Sequence, residues 1–178
     1  SDDCDIIQLT PIVITITVVD SSNNASVLTN TTYLYAKRAS DASSTKFTVT
    51  GGVCKITNWE GDITITSVEC TNYNTNTKTL SNITATTSTT ISLKLITRTI
   101  NFVKKGDTLT AVTATSVSLN NGTSQTFSNV STITLSGSNA VTLSSVRASS
   151  YRTLSNTSLD AITSDTTNNI ELTIYSTY

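Results

Sequence analysis

Apolar and polar residues alternate through most of this chain, and this period of two restricts the structures it can adopt more than any other feature. The stretch VITITVV at 13–19 is typical. Because successive side chains of a β-strand point to opposite faces, such alternation predicts half-buried strands. Thr, Val, Ile and Tyr favour strands, whereas Ala, Leu, Glu and Lys at helical spacing are scarce. The sequence therefore predicts an all-β fold.

The composition excludes several classes of protein. Thr and Ser total 65 of the 178 residues and Asn adds 16, but hydrophobic residues make up 37% and are regularly spaced, which argues against disorder. The net charge of −1 leaves no basic stripe that would follow a phosphate backbone, so we expect no nucleic-acid partner. The longest apolar stretch, 6–19, is too short and too polar for a membrane-spanning helix.

The chain repeats itself. At an offset of 84, ITVVDSSNNASVLTNTTYLY (16–35) lies over INFVKKGDTLTAVTATSVSL (100–119). At 78, ITITSVECTNY (63–73) lies over VTLSSVRASSY (141–151), and at 79, ISLKLIT lies over IELTIYS. Loops of varying length between strands of constant length produce such small changes of offset. We therefore predict two β-domains, at 12–97 and 98–178, after an N-terminal extension at 1–11.

Each half offers short strands separated by turn signals. In the first half the predicted strands are 12–19, 31–36, 45–50, 53–57, 62–69, 79–86 and 90–96, with turns at 20–24, 51–52 and 58–61. This spacing is typical of immunoglobulin-like or transthyretin-like β-sandwiches. Trp59 follows a turn signal and is expected to close a core end or to rim a loop.

The N-terminal extension is apolar and strand-forming. Matching the halves uses the chain from about Ile12, which leaves DCDIIQLT (3–10) without a counterpart ahead of Thr99. Pro11 is a natural joint between an extension and the first strand, because proline cannot donate to a ladder. An extended apolar segment needs a sheet edge to receive it. We predict that a neighbouring copy supplies this edge, which produces an open, head-to-tail filament; the alternative is pairing within its own domain.

The predicted donor strand comprises six residues, and whether the strand continues to Val19 is left open. They are Asp5, Ile6, Ile7, Gln8, Leu9 and Thr10. With the Thr/Ser/Asn-rich sandwich body and the shortage of charge, this extension resembles subunits of archaeal thread filaments and, more distantly, type I pilins of chaperone-usher systems. The resemblance is one of architecture and covers the whole chain. It implies strand donation between subunits and glycosylation outside the cell, and it leaves open which domain accepts the strand.

The chain has three cysteines, so one of them stays unpaired if the other two form a disulfide. Cys54 and Cys70 fall at strand edges of the same half, and a disulfide between them would close a loop of about 17 residues, worth roughly 3 kcal/mol. Cys4 then remains for an intermolecular bond beside the donor strand. Pairing of Cys4 with Cys54 or Cys70 inside one chain is the alternative.

Six Asn-x-Ser/Thr sequons are candidate N-glycosylation sites. They begin at Asn24, Asn30, Asn82, Asn121, Asn129 and Asn156. The composition alone predicts about six such triplets, so they permit glycans without demonstrating them.

Catalytic patterns are missing from the sequence. Without His, no Ser-His-Asp or Cys-His arrangement is available, and no glycine-rich phosphate loop or metal-ligand spacing occurs. We therefore expect no enzyme and no cofactor. A start at Ser1 is typical of a mature product after removal of a signal peptide; a recombinant product is the alternative. Together with the strand-forming extension and the resemblance above, this favours a structural subunit of an extracellular filament for adhesion or biofilm formation. The alternatives are a monomeric adhesive or carbohydrate-binding surface module and a viral coat or appendage protein.

Overall fold

The computed structural model describes residues 9–175, and within this range all regular secondary structure is β. The strands form four four-stranded sheets, two in each of two compact units. This confirms the prediction of an all-β fold with two β-sandwiches. Unit 1 contains the described residues up to Thr71 together with Thr75–Lys94, and unit 2 contains Asn72–Asn74 together with the described residues from Leu95 onward.

Unit 1 is built from eight strands. They are β1 (Val13–Asp20), β2 (Asn23–Val27), β3 (Thr31–Arg38), β4 (Thr45–Thr48), β5 (Val53–Thr57), β6 (Gly61–Cys70), β7 (Lys78–Ile83) and β8 (Thr87–Leu93). One sheet is organised around β1, which pairs antiparallel with β2 and β5 and parallel with β8. The other sheet has the antiparallel order β4-β3-β6-β7.

Unit 2 repeats this topology. Its strands are β9 (Thr97–Lys104), β10 (Asp107–Ala111), β11 (Ala114–Asn120), β12 (Ser124–Val130), β13 (Thr132–Ser136), β14 (Val141–Arg147), β15 (Leu154–Leu159) and β16 (Thr166–Leu172). Strand β9 pairs antiparallel with β10 and β13 and parallel with β16, and the second sheet has the order β12-β11-β14-β15. The internal repeat read from the sequence is therefore a repeat of the fold.

The alternating apolar residues form the cores. The burial pattern along β1 is the same as that along β9, so the same face of each strand lies against the opposite sheet. In unit 1 this face carries Ile14 and Ile16; in unit 2 it carries Arg98 and Ile100, all at most 2% exposed. An arginine thus occupies the core position that isoleucine holds in the first repeat.

Two details differ from the sequence-based expectation. Residues 23–27 form strand β2, whereas a turn was predicted through residue 24; all five residues of β2 are exposed, so no apolar alternation marks this strand. The compact units divide after Lys94 and assign Asn72–Asn74 to unit 2, whereas the sequence analysis divides the chain after residue 97.

Candidate assembly site

The chain enters unit 1 beside an open pocket of about 600 Å³. The pocket is lined by Leu9, Thr10, Pro11, Ile12, Asn58, Glu60 and Thr84. Of the predicted donor residues, Asp5, Ile6, Ile7 and Gln8 lie outside the described residues. Leu9 and Thr10 are exposed and belong to no strand, since β1 begins at Val13.

Hydrogen bonds fix the point where the chain joins the sheet. The Asn58 N–H donates to the Ile12 carbonyl (2.8 Å), and the Val13 N–H donates to Thr86 Oγ1 (3.1 Å). The Thr86 hydroxyl in turn donates to the Pro11 carbonyl (3.4 Å). Pro11 therefore lies at the joint between segment and first strand, as its missing N–H predicts.

The same joint recurs in unit 2. There the Gly137 N–H donates to the Ile96 carbonyl (2.8 Å), and the Thr97 N–H donates to Asp165 Oδ1 (2.9 Å). Ile96 and Thr97 follow Ile12 and Val13 by the offset of 84 that relates β9 to β1. The residues before Ile12 are therefore comparable, position by position, with those before Ile96.

This comparison corrects the view that the N-terminal segment has no counterpart. At the offset of 84, IQLTPI (7–12) lies over ISLKLI (91–96), and the latter matches IELTIY (170–175) at 79. The last two hexapeptides contain the ends of β8 and β16. Leu9 thus corresponds to Leu93 and Leu172, which are 0% and 1% exposed, whereas Leu9 itself is 87% exposed. The N-terminal segment carries the sequence pattern of a last sandwich strand, with its leucine in solvent.

The outer edges of the two last strands differ. Among the described strands, β8 pairs only with β1 and β16 pairs only with β9. On β8, the outward carbonyls of Thr90 and Ser92 accept hydrogen bonds from Lys78 Nζ (2.6 Å) and Asn76 Nδ2 (2.8 Å). Side chains therefore cap this edge, which is one way in which sheets avoid unwanted pairing.

The edge of β16 has no such cap among the described residues. The carbonyls that correspond to those of Thr90 and Ser92 belong to Asn169 and Glu171, and no described side chain donates to either of them. Strand β16 carries one charged residue, Glu171, and no proline. It is therefore the more accessible of the two last-strand edges for an added strand.

The predicted disulfide between Cys54 and Cys70 is not present, because both are free thiols. Cys54 lies on β5 and Cys70 at the end of β6, so they belong to opposite sheets of unit 1. Burial raises the pKa of the Cys54 thiol to about 11, and burial also raises that of Cys70, whose Sγ lies 3.3 Å from Asn30 Oδ1 in a donated hydrogen bond. Cys4 lies outside the described residues.

The six sequons lie on the surface to different degrees. Asn121 is half-buried, and Asn30 donates its amide to the Thr71 carbonyl (3.0 Å). Asn24, Asn82, Asn129 and Asn156 are exposed, and the last three have positive φ angles of 51°, 54° and 49°. Their side chains are thus accessible to modification.

Sequence reasoning missed a buried polar cluster in unit 2. Arg98, 2% exposed, donates through Nη1 to Asn168 Oδ1 (2.6 Å) and through Nη2 to the carbonyls of Asn139 (3.3 Å) and Asp160. Burial lowers the pKa of Arg98, and the charge of Asp160 opposes this effect. The available signal was the repeat itself, which places Arg98 over Ile14 at the offset of 84.

Trp59 closes one part of the unit 1 core, as the sequence analysis expected. It is 8% exposed, meets Phe47 edge to face at 5.2 Å between ring centroids, and lies 4.7 Å below the Arg38 guanidinium. Asp41 Oδ2 lies 3.0 Å from Arg38 Nε and holds this group in place. The tryptophan is thus a packing residue and not an exposed aromatic platform.

Residues 9–175 contain no group of three or more His, Cys, Asp or Glu side chains arranged to hold a metal ion. Two carboxylates of β6 have structural roles: Glu69 Oε1 accepts a hydrogen bond from the Tyr35 hydroxyl (2.6 Å), and Asp62 Oδ1 accepts one from the Asn82 N–H (2.8 Å). Over the same residues, no helix has the length and apolar character needed to cross a bilayer.

Comparison with known proteins identifies a fold and not a family. No family model matches the chain, and no curated protein sequence is significantly similar. Among solved structures, the Bacillus anthracis TIE protein matches with a TM-score of 0.58 at 12% identity, covering 91% of this chain and 34% of that one. The chain therefore spans about a third of the length of this structural relative.

Two pilins also match, with lower scores. A streptococcal ancillary pilin has a TM-score of 0.37 at 11% identity, covering 93% of this chain and 62% of that one. The minor pilin of Streptococcus agalactiae has a TM-score of 0.36 at 15% identity, covering 94% and 98%. Scores at this level do not establish a common fold.

Proposed function

We propose that the chain is a non-enzymatic structural subunit of an extracellular, pilus-like filament, and that it polymerises head to tail through its N-terminal segment. Residues Asp5–Thr10 act as the donor strand, which adds to a sheet edge of a neighbouring copy. The partner is thus a second copy of the same chain, and the accessible sequons carry N-linked glycans on the filament surface.

One observation carries the proposal. Leu9 is 87% exposed, although its counterparts at the ends of β8 and β16 are fully buried. Each unit already has its own last strand beside its first one, so the place that this sequence pattern suits is filled within both units. Burying one leucine contributes about 1.5–3 kcal/mol, and this gain is available to Leu9 only against another molecule or another segment.

The edge of β16 is the acceptor in this proposal. The edge of β8 is capped by Lys78 and Asn76, whereas no described side chain caps the carbonyls of Asn169 and Glu171. A donated strand would satisfy these groups through main-chain hydrogen bonds, each worth about 0.5–1.5 kcal/mol. The contact joins the N-terminal segment of one copy to a different surface of the next, and such a heterologous contact propagates into a filament when its rotation does not close a ring.

Deletion of residues 1–10 tests strand donation. We expect the truncated chain to keep its β-sheet circular dichroism spectrum and to stay monomeric in analytical ultracentrifugation, under conditions in which the full chain forms filaments visible by electron microscopy. A truncated chain that still polymerises contradicts the proposal, as does a full chain that stays monomeric at every concentration.

A matched pair of point variants separates a specific contact from general stickiness. Leu9→Ser removes the exposed leucine of the donor, and Leu109→Ser removes a leucine that is 95% exposed in β10. Only Leu9→Ser should abolish assembly. Equal losses in the two variants would indicate non-specific apolar association.

A second pair tests the acceptor. Glu171→Pro removes a main-chain N–H from the outer edge of β16, and Ser92→Pro makes the corresponding change on the capped edge of β8. Edge strands tolerate proline where the lost N–H faces solvent, so both variants should fold. Assembly should be lost with Glu171→Pro alone; the reverse result would assign the acceptor to unit 1.

A further inference from the structure

In each unit, the first and last strands are neighbours that run in the same direction. Seven consecutive residue pairs join β1 to β8, and seven join β9 to β16. The chain therefore enters a unit at one end of a parallel strand pair and leaves it at the opposite end. In unit 2 it enters at Thr97 and leaves at Leu172.

This arrangement determines how tension acts on a unit. A force applied to the two ends of the chain pulls the paired strands past each other along their common direction. The hydrogen bonds between parallel strands are evenly spaced along the pair, so such a force strains all of them together. If the force instead pulled the two strands apart from the same end of the pair, the hydrogen bonds would open one after another.

Unit 2 adds side-chain links to its backbone ladder. Arg98 on β9 donates to Asn168 on β16 at 2.6 Å, and Asn101 on β9 donates to Asn169 on β16 at 3.2 Å. The first link is part-buried, with Arg98 itself 2% exposed, and Arg98 also donates to the carbonyls of two loops. Sliding β9 past β16 therefore requires a buried guanidinium to give up its acceptors.

At the position of this buried clasp, unit 1 has an apolar residue in place of the guanidinium and a hydroxyl in place of the amide. Ile14 occupies the position of Arg98 and Thr89 that of Asn168, at the offsets of 84 and 79 that relate the repeats. The two units thus share one strand geometry and differ in the side-chain clasp at this position.

We propose that each unit is a mechanical clamp, in which the parallel pair of first and last strands carries tension along the chain, and that the Arg98–Asn168 clasp makes unit 2 the stronger of the two. This inference concerns the single chain and does not rest on strand donation between copies. A chain that fails to polymerise still tests it.

Single-molecule force spectroscopy on the full chain, held at its two termini between marker domains, tests the proposal. Each unit should release roughly 25 nm on unfolding, at about 3.5 Å per residue, so two events of similar length are expected at different forces. Arg98→Ile with Asn168→Thr gives unit 2 the residues of unit 1. We expect this double variant to lower the stronger event to the force of the weaker one.

Two controls separate mechanical strength from ordinary stability. Arg38→Ala removes an arginine of unit 1 that lies outside the β1–β8 pair, and it should leave the unit 2 event unchanged. A handle on Lys105→Cys, in a Cys4→Ser background, together with the C-terminus places both attachment points at the same end of the β9–β16 pair. Unit 2 should then open at a markedly lower force than between the termini.

Direction dependence is the decisive readout, because a change of equilibrium stability alone does not depend on where the force is applied. Equal unfolding forces in the two pulling geometries would overturn the clamp. Two events that already coincide in the unaltered chain, or a stronger event that the double variant leaves in place, would overturn the role of the clasp. If the double variant does not fold, Asn168→Ala replaces it, with the same expected reduction of the stronger event.

Discussion

Replacing Asn168 with alanine removes one acceptor from a buried guanidinium and tests the energetic role of the Arg98 cluster. The hydrogen bond is 2.6 Å long, and its donor is 2% exposed. A hydrogen bond to a charged group contributes about 1.5–3 kcal/mol to stability, and the cost of removing a partner from a buried charge lies in the upper part of that range. The two remaining acceptors, on Asn139 and Asp160, limit the loss. We therefore expect Asn168→Ala to lower the free energy of unfolding of unit 2 by about 2 kcal/mol.

Two probes allow the assay to separate the units. A loss of about 2 kcal/mol corresponds to roughly 8–16 °C in Tm for a domain of this size, which differential scanning calorimetry resolves. Trp59 is the single tryptophan of the chain and lies in unit 1. Its fluorescence reports the unfolding of unit 1, and that transition should stay in place when the calorimetric transition of unit 2 moves.

Asn169→Ala is the matched control, because Asn169 is the exposed neighbour of Asn168 on the same strand. Its side chain accepts only the surface hydrogen bond from Asn101 (3.2 Å), so the change should stay within about 0.5 kcal/mol. If Asn168→Ala were as mild as this control, the acceptor of the buried guanidinium would contribute little and the reasoning would fail. An equal shift of the Trp59 transition would show that the effect is not confined to unit 2.

Three further predictions concern unit 1. Gly52→Ala should lower the free energy of unfolding more than Gly51→Ala does, and for Gly51→Ala we expect a loss of about 1 kcal/mol. Both glycines have positive φ (79° and 58°), but only at Gly52 would a Cβ meet other atoms, among them the Leu28 carbonyl oxygen. Equal losses in urea denaturation would contradict this. Cys54 should resist alkylation at pH 8 in the folded chain, because burial raises its pKa to about 11 and it is 1% exposed; rapid native-state labelling, measured by mass spectrometry, would be inconsistent with that burial. The hydrogen bonds from Arg38 lower the pKa of Asp41, so the carboxyl binds its proton less tightly in the folded state than in the unfolded state. The ionised Asp41 therefore stabilises the fold fully above the unfolded pKa of about 3.9, and this stabilisation is lost as pH falls through the lower folded pKa. Asp41→Asn should flatten the decline in stability below pH 4.

The sequence predicts the strands well wherever one face of a strand is buried. The alternation at 13–19 and its repeat at 97–103 both correspond to observed strands, because period-two burial leaves its mark directly on the order of residues. Strand β2 escapes this approach, since all of its residues are exposed. Sequence patterns register burial, and an exposed strand is determined by its pairing partner.

The disulfide prediction was wrong for a related reason. Loop length between Cys54 and Cys70 allows closure, but it carries no information about whether the two Sγ atoms come within bonding distance, and both thiols are free. Arg98 shows the opposite case, in which the information was present. An arginine within an alternating apolar stretch, over Ile14 in the repeat, indicates a buried charge that needs acceptors from distant parts of the chain. Those acceptors follow only from the structure.

Pairing the first strand of a unit with its last has a consequence for biosynthesis. The partner that β1 needs on one side, β8, begins at Thr87 and ends at Leu93. At about 5–20 residues per second, a ribosome takes roughly 4–15 s to make the chain from the end of β1 to the end of β8. Throughout that interval the nascent chain holds one flank of β1 unpaired, and unit 2 passes through the same stage with β9. Each sandwich therefore closes late, and its first strand remains available to other partners until its own last strand has been made.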